Sequence, residues 1–400
     1  MVLIQENHTF DDHFGGYCTA PPGSNPACTD GPACCEAMPS ADPSGASPTV
    51  LDDTTSGGYD PPHDSACEAA EIAGGAMSAF VTAPAQGGSP CGDARNVARV
   101  DPTLIQPLWD LAAGGALADR YFQPIVGESY ANDMYFARAR FVFDDNSVSP
   151  AGAVGDACAL EVSNQKTYTD ETIGDLLTAA GVPWAFYAEG YAAMVAAGGQ
   201  CPPKPDDCPF RFPFDPCGFE PSDVPFEFYA STRDDPATMK DLADFYAALD
   251  GGGLPAVSFV KNIEYKSEHP GQGLLLSAGI AAAGQLVDRV EQSRYRGNTL
   301  VLVTYDEGGG YFDHVPPPPA SAVDGKPYGT RVPMLALGPF ARKGTVSHVV
   351  MEHSSVVKLL EWNFLGGITG QLGGRDGDAT LANMGSLLDP VATGTPVPVQ

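Results

Sequence analysis

Four hundred residues, 43% of them hydrophobic, are enough for one large domain or two modest ones with a buried core. Lys and Arg number 21 against 50 Asp and Glu, a formal net charge of −29. A surface of that sign repels phosphate backbones, which excludes nucleic acid as a bulk partner and an anionic membrane held by charge alone, while a zwitterionic lipid or a small soluble ester stays open.

The ten cysteines are even in number and crowd into loop-like, Pro-rich stretches. That pattern reads as disulfides pinning insertions in an oxidising compartment, secreted or periplasmic, with the pairing left open by the spacing. Cys201-x6-Cys208-x8-Cys217 offers a rival reading as a structural zinc site, although it lacks a C-x2-C pair. No apolar run is long enough to span a membrane. The chain opens on Val2-Leu3-Ile4 with neither region of a signal peptide, so an exported chain has lost its signal or carries it upstream.

In chain order, residues 1–5 read as a short buried strand ending on Glu6-Asn7. Residues 16–65 are rich in Gly, Pro, Ser and Asp and read as a disulfide-tied excursion. A helix is expected over 68–80, and another from Asp101 as cap to Gly114 as stop. A strand over about 119–126 then leads into Gly127-Glu128-Ser129 and a helix over 130–140. Residues 169–180 read as a helix, 183–188 as a strand, 190–235 as a second Cys- and Pro-rich excursion, and 236–249 as a helix. A strand over 256–261, a long helix over 272–292, strands over 298–306 and 332–337 and a helix over 352–364 complete the pattern. The polar, Gly-rich tail from 366 is expected to fray. Strands alternating with helices at this spacing predict one α/β domain over 1–400 with a mostly parallel sheet and helices on both faces.

The strand ends carry the chemistry. Asn298-Thr-Leu-Val-Leu-Val-Thr-Tyr is a continuous apolar run that breaks into Asp306, Glu307 and three glycines. Two adjacent acids at a strand end are costly without a positive partner, and glycines let backbone approach what the acids hold. The first strand offers Glu6 and Asn7, and Ser129 sits at a strand-to-helix turn. On one edge of a parallel sheet these residues can meet. Three carboxylates, an amide and a hydroxyl form an oxygen-rich shell for one divalent ion, with Ca, Mg, Mn and Zn all admissible. A serine at a helix start beside such an ion is equipped to attack phosphorus.

Glu6-Asn-His-Thr-Phe-Asp-Asp-His-Phe-Gly15 resembles the Glu-Asn-Arg-Ser-Phe-Asp-His-Tyr-Phe-Gly opening of the phosphoesterase family that contains bacterial phosphatidylcholine-type phospholipases C and a group of acid phosphatases. Thr304-Tyr-Asp-Glu-Gly-Gly-Gly-Tyr-Phe-Asp-His-Val-Pro-Pro318 is similar to that family's second signature almost residue for residue. Gly127-Glu-Ser129-Tyr-Ala-Asn132, Ser267-Glu-His269-Pro270, Arg331-Val-Pro-Met and Ser347-His-x4-His353-Ser-Ser resemble its other blocks, in family order.

The resemblance implies an alkaline-phosphatase-like three-layer α/β/α fold and a metal held by Glu6, Asn7, Ser129, Asp306 and Glu307. It implies Ser129 as the nucleophile that becomes phosphorylated, with Asn132, His63 and His269 around the phosphoryl group and His314 either beside them or bracing the loop after the carboxylates. The chain departs from the pattern at His8, Asp12, His13 and Glu128, which stand where Arg, His, Tyr and Pro are usual. The expected activity is phospholipase C-type hydrolysis of phospholipid or phosphocholine-like esters. A broad acid phosphatase is the alternative, and a secreted metal-binding protein without catalysis is a third reading.

Overall fold

The computed structural model describes residues 1–88, 90–198, 200, 201, 208 and 217–399. Among the described residues eight strands form the central sheet: β1 (Val2–Gln5), β2 (Ala116–Ala118), β3 (Trp184–Ala188), β4 (Met239–Asp241), β5 (Val257–Lys261), β6 (Val301–Tyr305), β7 (Met334–Leu337) and β8 (Thr345–Ser347). Their order is β8-β2-β7-β6-β1-β5-β3-β4. Every neighbouring pair is parallel except the two made by β7. The first strand of the chain thus lies inside the sheet, between β6 and β5, and is buried along its whole length.

Alternation along the strands feeds two cores. Val2 and Ile4 face one side with Leu302, Met334 and Phe259, and Leu3 faces the other with Val301, Val303 and Val260. Helices α3 (Ser129–Arg138) and α6 (His353–Phe364) cover the first side. Helices α2 (Pro102–Gly114), α4 (Leu242–Gly251) and α5 (Leu276–Glu291) cover the second, beneath the short α1 (Phe10–Phe14). The result is the three-layer α/β/α arrangement expected from the strand and helix pattern. Asp101 caps α2 by accepting the Thr103 amide at 2.7 Å, and the helix ends on Gly114 as expected.

Several elements differ from expectation. The strand expected over 119–126 is instead β2, ending at Ala118. The following run makes only isolated bridges at Tyr121 and Phe122, because its buried polar members Asp119 and Gln123 pair with side chains and loops. The helix expected from 236 starts at Leu242, after the edge strand β4, with Asp241 as its capping residue. The tail from 366 is not loose: Leu372, Met384, Leu387 and Leu388 join the first core, and Arg375 is fully buried against Asp324 at 2.8 Å. Polar, Gly-rich composition hid these few anchors.

The cysteines pair as Cys18–Cys35, Cys28–Cys34, Cys67–Cys91, Cys158–Cys201 and Cys208–Cys217. The last two bridges remove the zinc reading of the Cys201, Cys208 and Cys217 spacing. Within the excursion expected over 190–235, residues 202–207 and 209–216 lie outside the described residues.

Candidate active site

The register of the sheet builds the site. Gln5 pairs with Tyr305 across β1 and β6, and Asp306 N–H donates to Gln5 O at 3.0 Å, so Glu6 and Asp306 leave adjacent parallel strands at the same edge. Asp306 and Glu307 are fully buried. Each commits one oxygen to local backbone: Glu307 N–H donates to Asp306 Oδ1 at 2.8 Å and Gly309 N–H to Glu307 Oε2. Among the described residues Asp306 Oδ2 and Glu307 Oε1 have no hydrogen-bond partner. Burial pushes both carboxyls well above the usual range; the Asp306 charge adds to the rise at Glu307, while Lys261 works against it at Asp306.

The glycines after this pair serve close approach. A Cβ on Gly309 would stand 2.3 Å from Asn7 O, and one on Gly310 would stand 2.7 Å from Pro62 O, at positive φ in both cases. The acid loop can therefore lie directly against the segments that carry Asn7 and His63.

Ser129 opens α3 with Glu128 as its N-cap, and its hydroxyl donates to Asn7 Oδ1 at 3.3 Å across 122 positions of sequence. It lines an open cleft of ≈ 450 Å³ together with Glu6, His63 and His269. His63 Nδ1 donates to Pro61 O and His269 Nδ1 to Pro270 O, both at 2.7 Å. Each ring thereby keeps Nε2 free for other partners, and His63 Nε2 stands 3.9 Å from Glu307 Oε1. Burial works against a charge on His269, but Asp60, Glu264 and Glu6 outweigh it and its pKa is raised to about 9.

The hydrogen bonds of Asn132, expected at the phosphoryl group, and of His314, expected there or as a brace of the loop after the carboxylates, lead away from the cleft. Asn132 is fully buried and turned back on the loop before Ser129. Its Oδ1 accepts the Ile125 amide at 3.1 Å, and its Nδ2 donates to Gly127 O at 2.7 Å. It shapes the turn that presents the serine. His314 pairs through Nδ1 with Asp11 at 2.7 Å and lies 3.3 Å from Glu36 through Nε2. It belongs to a buried knot with Asp313 and Arg331, whose guanidinium reaches Asp313 and Asp11 at 2.9 Å each.

Sequence reasoning missed Lys261 and Gln123. Lys261, at the end of β5, is buried with Nζ 2.7 Å from Glu6 Oε1 and 2.8 Å from Asp133 Oδ2. Burial raises the proton affinity of Glu6, but Lys261 and His269 more than offset it and hold Glu6 below its usual pKa. Gln123 ties the acid loop to the serine turn: its Oε1 accepts Gly308 N–H at 2.8 Å and its Nε2 donates to Ile125 O at 2.9 Å. A lysine closing an apolar strand and a glutamine in an apolar run give no motif to find.

The cleft is strongly acidic. Asp60, Glu128, Glu220, Asp223 and Glu264 line it beside Glu6. Burial pushes Glu264 up to about 8 and raises Glu220 and Asp223 as well. Such crowding of acids is relieved by a cation in the cleft.

A model of the Phosphoesterase family matches residues 1–365. Phospholipase C B of Mycobacterium tuberculosis is 26% identical over 455 aligned residues, covering 99% of this chain and 78% of that protein. The non-hemolytic phospholipase C of Pseudomonas aeruginosa is 26% identical over 236 residues, 50% of this chain and 30% of that protein. Among solved structures, a protein in the alkaline phosphatase superfamily from Vibrio parahaemolyticus aligns at a TM-score of 0.40 and 16% identity, covering 68% of this chain and 62% of that one. The family match runs from the first residue through both strand-end signatures and leaves only the C-terminal segment outside it, so the chain belongs to the Phosphoesterase family, whose enzymes cleave phosphoric esters.

Proposed function

We propose that the chain is a metal-dependent phosphoesterase of phospholipase C type that hydrolyses phosphodiesters carrying a cationic group, through a phosphoserine at Ser129. The observation that carries this reading is the Ser129 hydroxyl at a helix start, against Asn7 Oδ1, in a cleft walled by carboxylates and two imidazoles. The unpartnered buried oxygens of Asp306 and Glu307 fit a divalent ion, with Glu6, Asn7 and Ser129 as the remaining donors. Such an ion, when bound, supplies charge that eases loss of the serine proton and bears part of the transition-state charge. Its identity among Ca, Mg, Mn and Zn is left open by all-oxygen ligation.

The chain's own groups supply the rest. Ser129 Oγ attacks phosphorus in line with the leaving oxygen, forming the O–P bond as the ester O–P bond breaks. His269, which carries a proton at neutral pH, protonates the leaving alcohol, and His63, whose ring lies edge-on to it at 5.9 Å between centroids, presents Nε2 beside it. Water then attacks phosphorus and breaks its bond to Ser129 Oγ, which releases the phosphomonoester of the head group and restores the hydroxyl. The acid lining repels a dianionic monoester and suits a monoanionic diester with a positive head group, which favours phosphocholine-like lipids over the acid phosphatase alternative. The disulfides support a secreted or periplasmic location, and among the described residues no helix is long and apolar enough to cross a membrane.

Hydrolysis of p-nitrophenylphosphorylcholine beside p-nitrophenylphosphate, on metal-replete and chelated protein, tests the proposal. Diester turnover that chelation removes and added metal restores is expected. Preference for the monoester would replace it with the phosphatase reading, and silence on both with a tightly held metal would favour a binding protein.

A further inference from the structure

Behind the cleft wall lies a buried network of four ionisable side chains that the proposed reaction does not use: His8, Asp12, His13 and Glu268. His13 Nδ1 stands 2.5 Å from Asp12 Oδ1 and its Nε2 2.9 Å from Glu268 Oε2, so an imidazolium with both nitrogens protonated satisfies two carboxylates at once. His8 Nε2 donates to the Glu268 carbonyl oxygen at 3.1 Å, and its Nδ1 stands 3.0 Å from Asp12 Oδ2. The other oxygen of Glu268 accepts from Gln5 Nε2 at 3.0 Å and from Tyr305 OH at 2.9 Å. Gln5 and Tyr305 are the strand residues just before Glu6 and Asp306.

The backbone at Glu268 has φ +81°, a conformation that side chains other than glycine rarely take. Its main chain is pressed against α5, where a Cβ on Gly279 would stand 2.5 Å from Glu268 N. Ser267 O accepts the Glu6 amide at 2.8 Å, and the next residue after Glu268 is His269, which faces the cleft. A turn costly to the backbone is thus held by a carboxylate gripped from three directions.

We infer that Glu268 is the positioning residue for His269: its carboxylate, clamped by Gln5, Tyr305 and His13, holds the left-handed turn that directs His269 into the cleft lined by Ser129. The inference rests on the role given to His269 in the proposed reaction. It ties the placement of that imidazole to the same two strands that deliver Glu6 and Asp306, so the acid and the metal-binding edge move as one unit.

Glu268→Ala and Glu268→Gly, each alone and combined with His269→Ala, test this in the full-length chain at measured metal content. Glu268→Ala is expected to lower kcat by about tenfold or more with KM little changed, as a misplaced acid does. Glu268→Gly takes the left-handed turn without cost and is expected to recover most of that loss. In the His269→Ala background, Glu268→Ala is expected to add less than about twofold, since it acts through the missing ring. Independently of turnover, the His269 ring resonances in ¹H–¹⁵N spectra are expected to move in Glu268→Ala and return toward wild type in Glu268→Gly. If Glu268→Ala does not fold, Glu268→Gln takes its place in the same double-variant comparison. Multiplicative losses in the double variant, equal behaviour of Ala and Gly, or unmoved His269 resonances would overturn the inference. A wild type silent on every ester would instead count against the phosphoesterase reading, and the resonances would still decide the role of Glu268.

Discussion

Lys261 Nζ lies 2.7 Å from Glu6 Oε1, a buried ion pair between the ends of two neighbouring parallel strands, with Asp133 closing the triangle at 2.8 Å. Removing the cation leaves two buried carboxylates uncompensated. Lys261→Met is expected to cost about 3–5 kcal/mol in urea unfolding, as for other broken buried pairs. Because a divalent ion at Glu6 would partly replace the lost charge, added metal is expected to raise the stability of Lys261→Met more than that of the wild type. Equal responses would show that Glu6 takes no part in binding the ion.

Ser129→Ala separates chemistry from folding. The hydroxyl's hydrogen bond to Asn7 is long, so its loss is expected to change stability by less than about 1 kcal/mol. Turnover is expected to disappear, and ³²P or mass labelling of the trapped enzyme to vanish with it. Retained turnover in a folded variant would remove Ser129 from the nucleophile role.

The His13 site gives stability a dependence on pH. Burial opposes the charge on His13, but Asp12 and Glu268 outweigh it and raise its pKa to about 9, against 6.5 for the free side chain. A raised pKa means that the folded state holds the proton more tightly. The contribution is complete below about pH 6.5 and fades as pH rises through about 9, with a ceiling of about 3 kcal/mol. The wild-type Tm is expected to fall between pH 7 and 10, and His13→Asn to start lower and flatten that slope. Parallel curves for the two proteins would contradict this account.

His314 is expected to matter to stability and hardly to catalysis. Its ring is engaged by Asp11 and Glu36, outside the cleft. His314→Gln is expected to keep kcat within about threefold while losing about 1–2 kcal/mol of stability, the scale of a lost charge-assisted hydrogen bond. A drop in kcat by orders of magnitude at unchanged Tm would return His314 to the reacting centre.

The parts of the site that the sequence made legible are those where a buried strand breaks into donors: Glu6 and Asn7 after β1, and Asp306 and Glu307 after β6. There the parallel direction of the two strands fixes the end of the sheet at which the residues emerge. Ser129 was legible as a helix start, although the strand before it was placed too late, because Ala116-Leu-Ala118 is short and Tyr121-Phe122 and Ile125-Val126 look strand-like without forming a strand of the sheet. Asn132 and His314 lie near reactive residues in sequence yet face elsewhere. One helical turn carries Asn132 back to the 125–128 loop, and the chain reverses after the glycines before it reaches His314. The acids of the cleft wall come from distant segments of the chain, with only Glu220 and Asp223 on one turn, so no spacing announces them.

The place of β1 between β5 and β6 has a consequence for biosynthesis. Val2 pairs with Phe259 on one side and Leu302 on the other, so β1 leaves the ribosome long before either of its partners. At about 5–20 residues per second, the roughly 250 residues made between β1 and β5 leave both edges of β1 unpaired for about 13–50 s, and the edge that takes β6 stays open for about 2–8 s longer. A nascent chain in that interval has no sheet interior and no acid-lined cleft. The cleft therefore forms only once the strand that leads into Glu6 and the strand that leads into Asp306 have both been made, and a chain cut short between them keeps an open strand edge prone to aggregation.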